Sequence, residues 1–224
     1  MSTLATPLSH EAAHPVQVRV EPALEHRNRL TTAFRLLLAL PHLILVGGPI
    51  AAAVSWTWSA EGDAERDWVS GGGVLGAAAA VVTIIVWFAI LFTGRHPEGL
   101  RTFVAFYLRW RVRAAAYLTL LRDEYPPFGD GPYPASLELR APDAERDKLG
   151  VAFRLVLAIP HLIVVWALGV AWAFTTLVAW VAILLTGRYP AGLYHFGEGV
   201  LRWTTRVEAY LFLLHDTYPP FSLE

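Results

Sequence analysis

Three long stretches of this chain carry almost no charge. Apolar residues run from about Leu30 to Trp58, from about Val74 to Phe92, and from Leu149 to Gly187, where Arg154 is the only full charge. A short acidic cluster, EGDAERD at Glu61–Asp67, separates the first two. Runs of this length point to a lipid environment rather than to an ordinary core. Taken as one helix, Leu149–Gly187 would extend about 58 Å, nearly twice the hydrocarbon thickness of a bilayer. Because the first two runs need a loop between them, the pattern predicts a tight helical hairpin in the third. It would turn near Trp166–Ala171, with arms of about 17–20 residues. Four membrane helices in two hairpins result, with a re-entrant pair as the alternative for the second.

The segments around these runs have their own periods. Val16-Gln-Val-Arg-Val20 and Ser136-Leu-Glu-Leu-Arg140 alternate, which predicts one short strand before each hairpin. Pairing the two with each other would satisfy edges that are marginal alone. After each hairpin comes Thr-Gly-Arg, in which glycine supplies a C-cap and arginine meets the negative end of the helix dipole. Pro97 and Pro190 suit the first turn of a further helix, about Pro97–Arg122 and Pro190–His215. Arg109, Arg111 and Arg113 lie mid-way along the first, so it does not cross a bilayer. Phe103, Trp110 and Tyr117 share a stripe, repeated as Phe196, Trp203 and Tyr210. Aromatics on one side with arginines elsewhere predict an amphipathic helix lying in the headgroup zone. A cytoplasmic helix packed on its twin is the plainer alternative.

The chain is written twice. LTTAFRLLLALPHLILV at Leu30–Val46 returns as LGVAFRLVLAIPHLIVV at Leu149–Val165, TGRHPEGL at Thr93–Leu100 as TGRYPAGL at Thr186–Leu193, and DEYPPF at Asp123–Phe128 as DTYPPF at Asp216–Phe221. Pro15/Pro134 to Val46/Val165 align at an offset of 119 residues, and from about Val86/Ala179 to Phe128/Phe221 the offset is 93. The difference of 26 residues is extra sequence in the first copy, placed around 56–73. An insertion there reads as a loop outside the hydrocarbon. The domain reading is a disordered N-terminus at 1–14, repeat 1 at 15–128, a turn-rich linker at 129–133 and repeat 2 at 134–224. The expected fold class is an all-α integral membrane protein of two tandem repeats, each a transmembrane helical hairpin followed by an amphipathic interfacial helix, with a short strand before each hairpin.

Composition narrows the class. Of 224 residues, 55% are hydrophobic and 17% charged, with mean hydropathy +0.42; a soluble domain carries about a quarter charged residues. The net charge of −1 gives no basic field for nucleic acid. There is no cysteine, which removes disulfides, thiol catalysis and thiolate metal sites together. Lysine occurs only at Lys148 against plentiful arginine and alanine, a composition associated with GC-rich bacteria. The N-terminus has neither a basic n-region nor an apolar h-region, so no cleavable signal peptide is expected. Among the basic residues, only Arg66 lies in the acidic loop, while Arg27, Arg29, Arg95, Arg101, Arg109, Arg111, Arg113, Lys148, Arg188, Arg202 and Arg206 flank the opposite ends. The positive-inside rule then places both termini in the cytoplasm, in a multi-pass protein of the bacterial inner membrane. Both copies would share one orientation.

Candidate chemistry is sparse. Arg35 and Arg154 sit inside apolar runs, and His42 and His161 follow seven residues later, two helical turns along the same face. Ionisable groups at membrane depth are candidates for an intramembrane polar site. The structural alternative is a pair in which the arginine snorkels to the headgroups. Asp123 and Asp216, each before a Tyr-Pro-Pro-Phe tail, are candidate ion-pair carboxylates for Arg35/Arg154 or Arg109/Arg202. In that stiff tail Tyr125 and Tyr218, with Trp110 and Trp203, are candidate interface anchors. Arg109/Arg113 and Arg202/Arg206, spaced i, i+4, are candidate lipid-headgroup contacts. No phosphate loop, nucleophile elbow or metalloprotease helix occurs, and no catalytic residue, metal or cofactor is expected.

The arrangement AFRLxLAxPHLI, apolar run, TGRxPxGL, aromatic–Arg–Trp helix and DxYPPF resembles a bacterial membrane family, the domain of unknown function numbered 4389, in two tandem copies. The likeness covers nearly all of Pro15–Phe221. It implies a membrane protein and supplies no activity to transfer. The leading expectation is a non-enzymatic membrane scaffold or membrane-organising component. A small transporter or lipid-handling protein with a site between the repeats, and an accessory subunit of a larger complex, are the rivals. Expected partners are membrane lipids, with a second copy or other membrane proteins beside them and no nucleic acid.

Overall fold

The computed structural model describes residues 14–48, 64–140 and 146–224, and for 64–71 the backbone alone. The expected disordered N-terminus (but for His14) and much of the expected loop around 56–73 lie outside the described residues. Along the chain the elements are β1 (Val16–Val20), α1 (Arg29–Ala33), α2 (Arg35–Val46), α3 (Ala64–Thr93) and α4 (Glu98–Leu118). There follow β2 (Ala135–Leu139), α5 (Lys148–Ala152), α6 (Arg154–Thr186) and α7 (Ala191–Leu211).

The two strands pair antiparallel, Val18 opposite Leu137 and Val16 opposite Leu139. Val18 and Leu137 are equivalent positions of the two repeats, so a pseudo-two-fold axis passes between them. Val16, Val18 and Val20 are buried with Ala135 and Leu137, the alternation that period-two patterning requires. The sheet covers the next layer crosswise: β1 packs on α7, and β2 on α4. Each repeat therefore lends its strand to the other.

The third apolar run does not turn. α6 is one helix of 33 residues, about 50 Å long, with Pro160 inside it. This corrects the expected hairpin near Trp166–Ala171 and the re-entrant alternative with it. The reason lies in the backbone: WALGVA has no serine, threonine, asparagine or aspartate to cap new helix ends. A turn there would orphan amide and carbonyl groups in apolar surroundings. The same correction reaches repeat 1. α2 and the segment Gly72–Thr93 of α3 together take the place of α6, burying the same face. Arg35, Ala39, His42, Gly76, Ala79, Val86 and Ile90 match Arg154, Ala158, His161, Gly169, Trp172, Ala179 and Ile183. The helix breaks at Gly47 and resumes at Gly73, both with positive φ (72° and 66°). A Cβ on Gly73 would lie 2.6 Å from the Gly47 nitrogen and the Leu45 carbonyl carbon, so only glycine fits the junction. Among the described residues two helices, Gly72–Thr93 and Arg154–Thr186, are long and apolar enough to cross a membrane.

Gly94 and Gly187 end the long helices in left-handed conformations, their amides bonded to Ile90 and Ile183 carbonyls at 2.8 Å. α4 and α7 then run back along them. Their aromatic faces are taken up inside the fold: from Val104 to Tyr117, and from Tyr194 to Tyr210, these helices are largely buried between the sheet and the long helices. They meet each other at Tyr107 and Phe212 (5.7 Å) and at Arg111 and Glu208 (2.9 Å). Arg111 and Arg113 bury because each finds a partner inside the chain. The aromatic stripe points at the long helix, not at lipid.

The long helices clasp the opposite repeat. The Trp87 indole donates to the Val151 carbonyl at 3.0 Å, and its equivalent Trp180 to the Thr32 carbonyl at 2.9 Å. Lys148 lies against Gly94 and Arg29 against Gly187. The start of each long helix thus meets the end of the other, and the two run antiparallel.

If repeat 1 is a long helix with an excursion, removing the excursion should preserve it. Replacing Gly47–Gly73 by one tryptophan, the residue at position 166 of repeat 2, is expected to keep the helix content by circular dichroism. The melting temperature should stay within about 4 °C, about 1 kcal/mol for a chain of this size. Gly73→Ala should instead lose about 1–3 kcal/mol through backbone strain.

Candidate functional site

In each repeat one aspartate gathers two arginines. Asp123 follows α4 and Arg27 precedes α1. The Arg27 Nε donates to Asp123 Oδ2 at 2.8 Å and its Nη2 to Oδ1 at 2.8 Å, while Arg35 Nη2 reaches Oδ1 at 2.6 Å. The Asn28 amide completes the carboxylate at 3.0 Å. In repeat 2, Asp216 holds Arg146 at 3.0 Å and Arg154 at 2.5 Å. Arg35 and Arg154 are each 2% exposed, and their guanidinium groups stand over the Tyr117 and Tyr210 rings at 4.0 and 4.3 Å. Their Nη1 groups donate to carbonyls: Arg35 to that of Arg122, Arg154 to those of Tyr210 and His215.

The chain bends to complete this. Leu120 and Leu213 take positive φ (66° and 61°), an unfavourable state for leucine. Their carbonyls accept from Arg27 and Arg146. Burial alone would raise the Asp123 carboxyl. The hydrogen bonds and charge of Arg27, the Asn28 amide and the charge of Arg35 outweigh it, holding the group below the ordinary carboxylate range. With both oxygens occupied, the carboxylate has little capacity left for a substrate proton or cation. Position 122/215 breaks the symmetry: Arg122 pairs with Glu124 at 2.5 Å, whereas His215 is buried, and burial with the charges around it pushes it down to about 3.

Above each clamp a histidine is enclosed. The Trp110 indole donates to His42 Nδ1 at 3.0 Å, and Trp203 to His161 Nδ1 at 3.3 Å. The Tyr-Pro-Pro-Phe tail folds over the ring: Phe128 stacks on His42 at 4.7 Å and Phe221 on His161 at 4.0 Å, with Tyr125 and Tyr218 at 5.0 and 4.7 Å. Indole donation requires a bare Nδ1, which places any single ring proton on Nε2.

The structure thus brings Arg35, His42, Trp110 and Asp123 into one cluster, and Arg154, His161, Trp203 and Asp216 into another. Trp110 and Trp203, each 7% exposed, face inward, while Tyr125 and Tyr218 are partly exposed. Arg113 turns to the Gly129 carbonyl (2.7 Å) and Asp130 (3.4 Å). Arg202 pairs with Glu198 at 2.7 Å and reaches the Leu223 carbonyl at 2.9 Å; Arg206 bonds the Glu224 carbonyl; Arg109 is half-buried. Sequence reasoning assigned Arg27 only to charge asymmetry and did not single out Arg146. Their recurrence at an offset of 119 residues was the available signal for the second arm of each clamp. Among the described residues no group of three histidine, aspartate or glutamate side chains is placed to hold a metal ion.

A family described as a domain of unknown function (DUF4389) matches residues 72–129 and again 148–222. No curated protein and no solved structure matches the chain.

Asp123→Asn keeps the shape and removes the charge, leaving two buried cations without a counter-ion. A loss of about 3 kcal/mol is expected in denaturant unfolding of the detergent-solubilised protein. The native carboxylate titrates below its unfolded value of about 4, so its contribution is complete above that pH. It fades as pH falls through the folded value. The variant should show the larger deficit at neutral pH and converge on the native protein in acid.

Proposed function

The chain belongs to the DUF4389 family, and we propose that it is a non-enzymatic integral protein of the bacterial cytoplasmic membrane that organises the lipid around it. The observation that carries this reading is an inside-out distribution of polarity. Arg35, Arg111, Arg154, His42 and His161 are buried within the fold, while Leu36, Ile44, Phe88, Phe92, Ile163, Phe174 and Leu185 stand exposed along the long helices. Apolar surface of this extent is far beyond the isolated exposed residues of a soluble monomer. Lipid is the solvent that suits it, and the basic residues away from the apolar face put that side toward the cytoplasm.

The seam between the repeats favours organisation over transport. Where a transporter would need a path, Tyr107 packs on Phe212 and Arg111 pairs with Glu208. Each histidine is closed in by tryptophan and phenylalanine of its own repeat. The clamps act as fixed joints that hold the apolar helices to the polar layer.

Liposome flotation tests the reading. Detergent-purified protein diluted into vesicles of phosphatidylethanolamine and phosphatidylglycerol is expected to float with them and to reduce vesicle diameter. Val170→Asp with Phe174→Asp, each adding about 2–3 kcal/mol to membrane insertion, should reduce both effects. Recovery of the native chain as a compact monomer in detergent-free buffer would remove the proposal.

A further inference from the structure

The long apolar helices run in opposite directions about the pseudo-two-fold axis, and that constrains how a membrane can receive them. We infer that they lie flat within one leaflet, with the axis along the membrane normal, instead of crossing the bilayer. The partner of this face is the acyl-chain layer of a single leaflet. The inference rests on the membrane reading above and specifies its geometry.

A two-fold rotation reverses a helix only if its axis is perpendicular to that helix. The reciprocal contacts Trp87–Val151 and Trp180–Thr32 establish the reversal, so the axis crosses the long-helix pair about half-way along. Along the axis the layers follow in order: the sheet, then α4 with α7, then the long helices. The sheet straddles the axis at Val18 and Leu137. One residue away on each strand, Arg19 pairs with Glu138 at 3.3 Å, with side chains 67% and 58% exposed.

Suppose the long helices crossed the bilayer. The axis would then lie in its midplane, and the exposed Arg19–Glu138 pair would stand at the depth of lipid tail ends, where charged side chains are most costly. Laid flat, the same pair sits on the face farthest from lipid. Charge along the helices agrees. One end of the layer carries Arg29 beside Gly187 and the other Lys148 beside Gly94, so the two ends are equally basic. Spanning helices would present cations to both sides of the membrane. The positive-inside asymmetry is met only from layer to layer, across the axis. Bases at both ends of a flat layer would meet anionic headgroups around its rim.

Dimensions fit as well. A helix is about 10 Å thick with its side chains, and one leaflet contributes about half of a 30 Å core. The 33-residue α6 is about 50 Å long. Its exposed stripe, through Leu155, Ile159, Ile163, Val170, Phe174 and Leu185, is apolar from end to end, with no polar belt where headgroups would begin on a spanning helix.

Single cysteines in this cysteine-free chain test the geometry. Spin labels at Leu155→Cys, Val170→Cys and Leu185→Cys, in floated proteoliposomes, are expected to report similar depths, within about one helical turn of 5 Å. Impermeant maleimide should label Thr93→Cys and Thr186→Cys from the same side as Ser136→Cys. A deepest signal at Val170→Cys, or labelling of Thr93→Cys and Thr186→Cys from opposite sides, would overturn the flat arrangement while leaving membrane embedding intact. Absence of flotation would remove both.

Discussion

A guanidinium group taken out of water has to keep a counter-charge and nearly all its hydrogen bonds, and much of each repeat is arranged around that requirement. Asp123 and Asp216 sit where three segments converge: the connection entering α1 or α5, the first turn of α2 or α6, and the exit from α4 or α7. Two arginines and one carboxylate tie the three together. A buried ion pair does little for net stability compared with apolar packing, because desolvation consumes most of the attraction. Its value here is geometric. It sets where the returning helix ends against the apolar one, and it holds Leu120 and Leu213 in a conformation that leucine avoids.

The repeats cannot be read as two beads. Each strand covers the other repeat's returning helix, and each long helix caps a carbonyl at the start of its counterpart through Trp87 or Trp180. Interleaving of this kind explains why the sheet can be so small. A two-stranded ribbon is marginal in water, but this one has a continuous layer of helix beneath both strands. The axis through Val18 and Leu137 therefore belongs to a single packed unit, in which the Arg111–Glu208 pair has no symmetric counterpart, since Thr204 and Ala115 occupy the equivalent positions.

Much of this was legible in the chain. Alternation in Val16–Val20 and Ser136–Arg140 located the strands, the duplication suggested that they pair, and Thr-Gly-Arg marked the helix ends. The seven-residue spacing put Arg35 with His42 on one face. Two inferences failed for physical reasons. The acidic segment in the first copy suggested a break belonging to the architecture, although the second copy runs through the same point as one helix. A length argument then imposed a turn on a segment with no polar side chain to cap a new helix start. The aromatic stripe of Trp110 and Tyr117 was likewise assigned to lipid because its arginines looked exposed. Amphipathic patterning cannot say which side faces out when the charged side finds its partners inside the protein.

Those partners also give the arginine-rich composition a physical reason beyond nucleotide bias. Arg35 and Arg154 each join an aspartate to backbone carbonyls; Arg111 joins Glu208 to the Val46 carbonyl; Arg113 joins Asp130 to the Gly129 carbonyl; Arg122 joins Glu124 to the Glu21 carbonyl. A planar fork with five donors can face a carboxylate on one edge and a carbonyl on another without moving. A lysine ammonium directs all its donors from one point at the end of a flexible stem, and burial makes it shed its proton more readily. At these positions it would leave either the carboxylate or the carbonyl unmatched. The one lysine, Lys148, stands at the rim beside Gly94, where no such double task is set. Arginine is selected wherever the polar layer must fasten the apolar one to itself.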